Sequence, residues 1–351
     1  MNLEERIHSF IALGELLRDY PDKMKTEYGR LLQVAAGKSE EENPWFMHGS
    51  IQSALNAIGE SLTREKLERW LDPYKDQLIY TQSPKKIGLV MAGNIPAVGF
   101  HDFISVLISG NILIAKLSAR DKCLLPVIAK ILCLINPSWR ESITWTSGIL
   151  SGFDAIIATG SNNSSRYFEY YFRKYPHIIR KNRNGVAVLT GDETSEQLQG
   201  LANDIMLYFG MGCRSVSKLF VPSGYSFSFL FESLSVFRHY FQHHKYRNNY
   251  EYYKSSFLVN NISFLDNGFF MMVQNTSIPT PVSVGHFEYY SEISEVYEKI
   301  RLNTDSIQCV VSAGEMDVPV VSPGKAQKPE LWDYADGIDT LRFLTGKNSD
   351  S

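Results

Sequence analysis

Cysteine, net charge and long apolar runs are all scarce in this chain, and each scarcity removes a class of protein. Four of its 351 residues are cysteine, with no repeating spacing and no Cys-x-x-Cys. Neither a disulfide framework nor a zinc cluster is expected, and a reducing compartment is. The net charge of −3 provides no global field to gather nucleic acid or an anionic membrane. The most apolar region, 104–114, is broken by Ser109-Gly110-Asn111 and is too short to cross a bilayer. Residues 1–20 interleave acids and bases in an amphipathic pattern without the apolar stretch of a signal peptide, so a cytoplasmic location is expected.

A hydrophobic content of 44% against 21% charged residues is enough for the cores of two domains. Helical periodicity runs through 3–36, with Ile7, Phe10, Ile11, Leu13 and Leu17 on one stripe, and returns in 51–71. From Lys86 the texture alternates. Apolar runs at 87–91, 112–115, 142–146 and 154–158 are separated by helical stretches, and Val186-Ala187-Val188-Leu189 adds a further strand. That alternation predicts a parallel sheet with helices on both faces. A second α/β unit is expected to begin near Thr190-Gly191-Asp192, with Thr194 and Gln197 as a capping box for a helix running to Tyr208. The expected division is a helical segment over 1–82 packed on a cofactor-binding domain over 83–191. A catalytic domain over 192–346 and a disordered tail over 347–351 follow.

Four local features carry candidate chemistry. Cys213 lies in Phe209-Gly210-Met211-Gly212-Cys213-Arg214-Ser215, where two glycines allow a ligand close to the sulfur. Cys133, inside Ile131-Leu132-Cys133-Leu134-Ile135, reads instead as a packing thiol. Thr159-Gly160-Ser161 ends a strand before a helix, an arrangement that offers N–H groups to a phosphate but also occurs as a plain connection. Asn94, in Gly93-Asn94-Ile95-Pro96, is either a functional amide or the cap of the next helix. Lys116, in Lys116-Leu117-Ser118, closes a strand. The pair His243-His244 lacks a Cys or carboxylate at ligand spacing and reads as surface, so no metal site is expected. The Tyr- and His-rich block 239–253 reads as a partly exposed helix and loop.

In this order and at these separations the four features resemble the aldehyde dehydrogenase superfamily, and within it the LuxC-type acyl-CoA reductases that make fatty aldehydes. The resemblance covers 84 to the C-terminus. It rests on Asn94-Ile95-Pro96, on Gly110-Asn111 with Lys116-Leu117-Ser118, on Thr159-Gly160-Ser161 and on Cys213. The wording of 93–99 and Tyr334-Ala335-Asp336-Gly337-Ile338-Asp339-Thr340-Leu341 suggest the reductase branch. It implies a fold of two Rossmann-like α/β domains with a helical N-terminal segment, and a site at the domain interface. Cys213 would be the nucleophile and would form an acyl-enzyme with loss of coenzyme A. The Asn94 amide and the Cys213 N–H would form the oxyanion hole. Lys116 and Ser118 would hold the adenosine ribose of NADPH or NADH, with Gly160 and Ser161 at its pyrophosphate. The implied partners are an activated acyl donor such as acyl-CoA, an acyl-activating protein and further copies of the chain.

Three departures from the superfamily pattern refine this. Where aldehyde-oxidising members carry a water-activating Glu, Ile179-Arg180-Lys181-Asn182-Arg183 has no carboxylate, which protects an acyl-enzyme from hydrolysis. Ala119 stands where NAD-preferring members often have Glu, which favours NADPH, with Arg120 nearby. Ser165 replaces the Gly that commonly closes the phosphate turn. His101, one or two turns into the helix after Asn94, is either a general acid or a hydrogen-bonded helix residue. Three rivals remain: an acyl-phosphate reductase on the same scaffold, a cofactor-free cysteine thioesterase or acyltransferase, and a silent nucleotide-binding scaffold. The second would need a base near Cys213, and both Asn94 and Cys213 argue against the third.

Overall fold

In the computed structural model, which describes residues 1–21, 26–79 and 83–346, side-chain caps set the starts of the N-terminal helices. Asn2 caps α1 (Leu3–Arg18) in a box with Glu5, Thr26 caps α2 (Glu27–Glu42), and Thr63 caps α4 (Arg64–Leu71). Between and after them lie α3 (His48–Ser61) and the short α5 (Lys75–Ile79). Ile7, Phe10, Leu13 and Leu17, the stripe legible in the sequence, are all buried, and Phe10 meets Trp139 edge-on. The tail expected over 347–351 lies outside the described residues.

The chain divides into two compact units, 1–181 with 330–351 and 182–329. The first is built from β1 (Lys86–Val90), α6 (Phe100–Ile108), β2 (Ile112–Lys116), α7 (Leu124–Ile135), β3 (Ile143–Thr146), β4 (Ala155–Thr159), α8 (Asn162–Phe172) and β5 (His177–Arg180). Its strands are all parallel, in the order β3-β2-β1-β4-β5. The order reverses direction between β1 and β4, which makes the carboxyl ends of these two strands the switch point of a doubly wound sheet.

The second unit contains β6 (Asn184–Val188), α9 (Ser195–Met206), β7 (Val216–Pro222), α10 (Ser228–Leu234) and α11 (His244–Val259). It continues with β8 (Phe264–Asp266), β9 (Met271–Gln274), β10 (Val284–Tyr290), α12 (Ile293–Leu302) and β11 (Ile307–Ser312). Its sheet has the order β11-β6-β7-β10-β9-β8, with only β8 antiparallel. The Thr194–Gln197 capping box is present at α9.

The unit boundaries differ from the 191/192 division in two places. The strand expected to finish the first sheet is β6, hydrogen-bonded between β11 and β7 of the second. β5, a stretch without a strand signature, closes the first sheet instead. An apolar strand buried on both faces carries no mark of which sheet it joins, so periodicity could not place it. Residues 330–346 belong to the first unit and include α13 (Thr340–Thr345). There the Trp70 indole donates to the Tyr334 hydroxyl at 2.8 Å, the Tyr74 hydroxyl bonds Asp339, and Lys66 pairs with Glu330. The Tyr334 to Leu341 wording therefore has a structural meaning: it fastens the returning chain to α4 and the turn after it.

Candidate active site

Five of the six candidate residues gather at one rim of the first unit. Val90 pairs with Lys116 on one side and with Ala158 on the other, so the loops leaving β1, β2 and β4 emerge side by side. The Met91 N–H donates to the Lys116 carbonyl at 3.1 Å, which extends this contact past the strand. Gly93 then passes so close to Ser118 that a Cβ would lie 2.5 Å from Ser118 Oγ. Only glycine allows the Asn94 loop and the Ser118 turn to touch in this way.

Asn94 is half-buried in a loop and does not cap α6. That helix starts at Phe100, with Gly99 in the cap position and no side-chain cap bond. Pro96 likewise precedes the helix, so the capping alternative falls away. The loop is instead pinned at Ala97, which has φ +53° and donates its N–H to buried Asp121 Oδ2 at 2.8 Å. Burial pushes the Asp121 carboxyl up to about 6, against the pull of the Ala97 and Leu124 N–H groups. Asp121 also pairs with Ser118 through the backbone, so one carboxylate ties the two loops together. Nothing in the sequence marked it.

Ser118 Oγ accepts from the Arg120 N–H at 3.2 Å, and Ala119 and Arg120 are exposed. No carboxylate among the described residues pairs with the Lys116 ammonium. Ser161 is the N-cap of α8, accepting from the Ser164 N–H at 3.2 Å. A Cβ on Gly160 would lie 2.8 Å from Phe168 and Ser164, so glycine is required for this strand-to-helix turn. Ser165 is buried, and its hydroxyl is satisfied by the Asn162 carbonyl at 2.9 Å.

His101 takes the structural alternative. Its Nε2 lies 2.8 Å from the Leu331 carbonyl, its ring packs between Trp70 and Tyr334, and burial holds it below the usual histidine range. Arg180, in the segment without a carboxylate, is itself buried. It is paired with Asp102 and donates to Thr340 Oγ1 at 2.8 Å. Removing one partner of such a pair costs about 3–5 kcal/mol, so this segment is locked as structure.

Cys213 belongs to the second unit and sits at the amino end of β7. Three consecutive left-handed residues precede it: Tyr208 (φ 57°), Phe209 (φ 57°) and Gly210 (φ 72°). Two of these are bulky and strained, a condition that persists only where packing enforces it. The packing is aromatic. The Phe209 ring lies 4.3 Å from Tyr240, 4.9 Å from His243 and 5.8 Å from Tyr246, centroid to centroid. The inner side of the 239–253 block is thus a wedge behind the cysteine loop. Next comes a tight turn in which the Ser215 N–H donates to the Gly212 carbonyl at 3.0 Å. Cys213 is its second residue, and its N–H is not the one that closes the turn. His243 accepts from the Tyr246 N–H as the cap of α11. Among the described residues no three His, Cys, Asp or Glu side chains are grouped to hold a metal, and no helix is long and apolar enough to cross a membrane.

Two α/β units of this topology match the fold of the aldehyde dehydrogenases. Solved structures of that class superpose on the chain. One is aldehyde dehydrogenase 21 of Physcomitrella patens in complex with its product succinate, at 12% identity and TM-score 0.64, covering 99% of this chain and 84% of that one. Another is the putative aldehyde dehydrogenase PutA of Anabaena variabilis, at 13% identity and TM-score 0.58, covering 93% and 81%. A third is an aldehyde dehydrogenase of Bacillus cereus complexed with NAD+, at 14% identity and TM-score 0.61, covering 90% and 73%. At such identities the likeness is one of fold. No curated protein sequence matches significantly. The family is nevertheless specific: residues 31–227 match the acyl-CoA reductase (LuxC) family, to which this chain belongs. Its chemistry is that of an oxidoreductase of the acyl reductase and aldehyde dehydrogenase type.

Proposed function

We propose that the protein reduces an acyl thioester, acyl-CoA in the first instance, to the aldehyde through a covalent acyl group on Cys213. The observation that carries this reading is the Cys213 turn, held by strained residues and fixed at both ends, within a chain of the acyl-CoA reductase family. The Cys213 thiolate attacks the carbonyl carbon, and the coenzyme A thiolate leaves and takes up a proton. Negative charge on the carbonyl oxygen is met by the Asn94 side-chain amide and the Cys213 N–H. A nicotinamide, when bound, supplies hydride to the acyl carbon. The carbon–sulfur bond then breaks, and Cys213 regains its thiolate as the aldehyde leaves.

The first unit suits a dinucleotide. Its switch point carries the Gly160 turn at the start of α8, and beside it the Gly93 loop touches the Ser118 hydroxyl, two residues after Lys116. Gly160 and Ser161 are assigned to the pyrophosphate, and Lys116 and Ser118 to the adenosine ribose. The 179–183 segment contains no carboxylate to act as a base for water; its Arg180 is engaged with Asp102, and Arg183 donates to the Thr304 and Ile307 carbonyls. The acyl-enzyme therefore waits for hydride or for a thiol.

The test is a burst. Given an aldehyde and NADP+ without coenzyme A, the enzyme is expected to release one equivalent of NADPH and stall, and coenzyme A should restart it. Intact mass should show the acyl group on the stalled chain and none on Cys213→Ala. Steady formation of free acid without coenzyme A would reassign the protein as a hydrolysing aldehyde dehydrogenase. An adduct that survives Cys213→Ala would remove the nucleophile assignment.

A further inference from the structure

Behind the Cys213 turn lie three buried polar side chains that the chemistry above does not use. Ser215 Oγ accepts from the Gly212 N–H and bonds Gln327 Nε2, both at 3.1 Å. Gln327 arrives on the segment 323–327, whose Gly324 and Ala326 N–H groups donate to the Asp204 carboxylate at 2.6 and 3.1 Å. The same segment accepts from Arg214 Nε through the Ala326 carbonyl at 2.7 Å. It lies so close to α9 that a Cβ on Gly200 would meet the Pro323 carbonyl at 2.8 Å. Asp204 and Ser215 are fully buried and Gln327 is nearly so.

This arrangement is costly for a mere spacer. Burial lifts the Asp204 carboxyl to about 6, and apolar residues would fill the same space without that penalty. What the polar residues achieve is a fixed position. The segment is bonded to α9 at one end and to both Arg214 and Ser215 at the other, so it spans from the helix to the residues after the nucleophile. We propose that Asp204, Gln327 and Ser215 form a positioning brace that fixes the turn presenting Cys213, a role that rests on Cys213 being the nucleophile. Gln327 orients the Ser215 hydroxyl, the hydroxyl holds the Gly212 N–H, and the turn keeps the Cys213 N–H aimed at the acyl oxygen. A loosened turn loses that aim, and small displacements of a reacting group lower rates steeply.

The variants are Gln327→Met, of similar length but without a donor, and Ser215→Ala, in the full chain. Each should slow single-turnover acylation of Cys213 by about tenfold, with the KM for cofactor unchanged. The double variant should be no slower than the single ones, because both remove the same restraint. Iodoacetamide alkylation of Cys213 followed by mass spectrometry across pH should show its midpoint moved in both, since the sulfur loses its single fixed setting. Wild-type acylation rates in either folded variant, or losses that multiply in the double variant, would overturn the brace. If the wild type acylates with no donor at all, the thioester reading fails by itself. The alkylation midpoint then still decides the brace, and an unmoved midpoint in folded Gln327→Met rejects it. Should Ser215→Ala not fold, Gln327→Met carries the decision alone, because its side chain keeps a margin at the surface with 8% exposure.

Discussion

The candidate loops of the two units are held in opposite ways. In the first unit the Asn94, Ser118 and Gly160 loops leave the carboxyl ends of adjacent parallel strands, so their meeting is a consequence of strand order and two glycines. In the second unit Cys213 comes at the amino end of a strand, after a left-handed run that sheet geometry does not provide. Its position is imposed from outside, by the Phe209 aromatic wedge and by the Gln327 side chain more than a hundred residues away in sequence. A binding rim can be built from backbone alone. The proposed nucleophile, which must be held to a fraction of an ångström, has side-chain supports as well.

The sharpest way to break this contrast is Asn94→Ala. If the first unit's rim contributes only binding, the variant should raise the KM for cofactor and leave kcat alone. The proposed chemistry instead expects kcat to fall on the order of a hundredfold, the loss of one oxyanion donor, with cofactor KM little changed. Single-turnover measurements of acyl transfer to Cys213 separate the two. A fall smaller than about threefold would return Asn94 to a purely structural part in its loop.

The contrast also explains what could be read from the sequence. The turns that bring the first unit's candidate residues to one rim were legible, because Gly93-Asn94, Lys116-Leu117-Ser118 and Thr159-Gly160-Ser161 are local wording for local geometry. In the second unit Cys213 was visible through Gly210 and Gly212, but its supports were not. Tyr208 and Phe209 carry no sequence mark of a left-handed backbone, and nothing near Gln327 announces Ser215 as its partner. Asp102, Asp121 and Asp204 were missed for the same reason, since a carboxylate's burial is decided by distant elements. β6 was legible as a strand and not as a member of the second sheet, because its neighbours β11 and β7 lie beyond any local window.

A smaller effect sharpens the comparison through the carboxylate that each unit buries behind its loop. Asp121 and Asp204 are both raised to about 6, chiefly by burial. In the unfolded chain such a group ionises near 4, so between about 4 and 6 the folded state binds more protons. Stability therefore falls as pH rises through this window, and the penalty is complete above it. A rise of about two units corresponds to at most about 3 kcal/mol for each group. The two should respond differently to Asn. Asp121 has an unpartnered Oδ1 where an amide nitrogen can stand, whereas both Asp204 oxygens accept N–H groups. Asp121→Asn is expected to raise the melting temperature at pH 7.5 and to lose that advantage towards pH 5. Asp204→Asn should gain nothing at pH 7.5, because its amide would face one N–H donor. Equal gains in thermal melts across pH would show that the two carboxylates are interchangeable, and the contrast between the loops would lose one support.

The smallest expected effect lies at the exposed edge of the first rim. Ser118 is turned by its bond to the Arg120 N–H, leaving Ala119 and Arg120 open to water beside the assigned ribose position. A 2′-phosphate there meets Lys116 and Arg120 and no carboxylate at Ala119, so NADPH should be used at least as well as NADH. Ala119→Glu places a negative charge at this edge. It repels the phosphate and can accept from a ribose hydroxyl, and both effects shift preference towards NADH. Because the site is exposed, water and salt screen the charge, and a change of about five- to tenfold in the ratio of kcat/KM values is expected, larger at low ionic strength. Acylation of Cys213 should be untouched, since the substitution removes neither a proposed oxyanion donor nor a support of the Cys213 turn. An unchanged cofactor ratio with a normally folded variant would move the adenosine ribose away from Ser118. The first unit's rim would then need a new assignment even if Cys213 and its turn kept theirs.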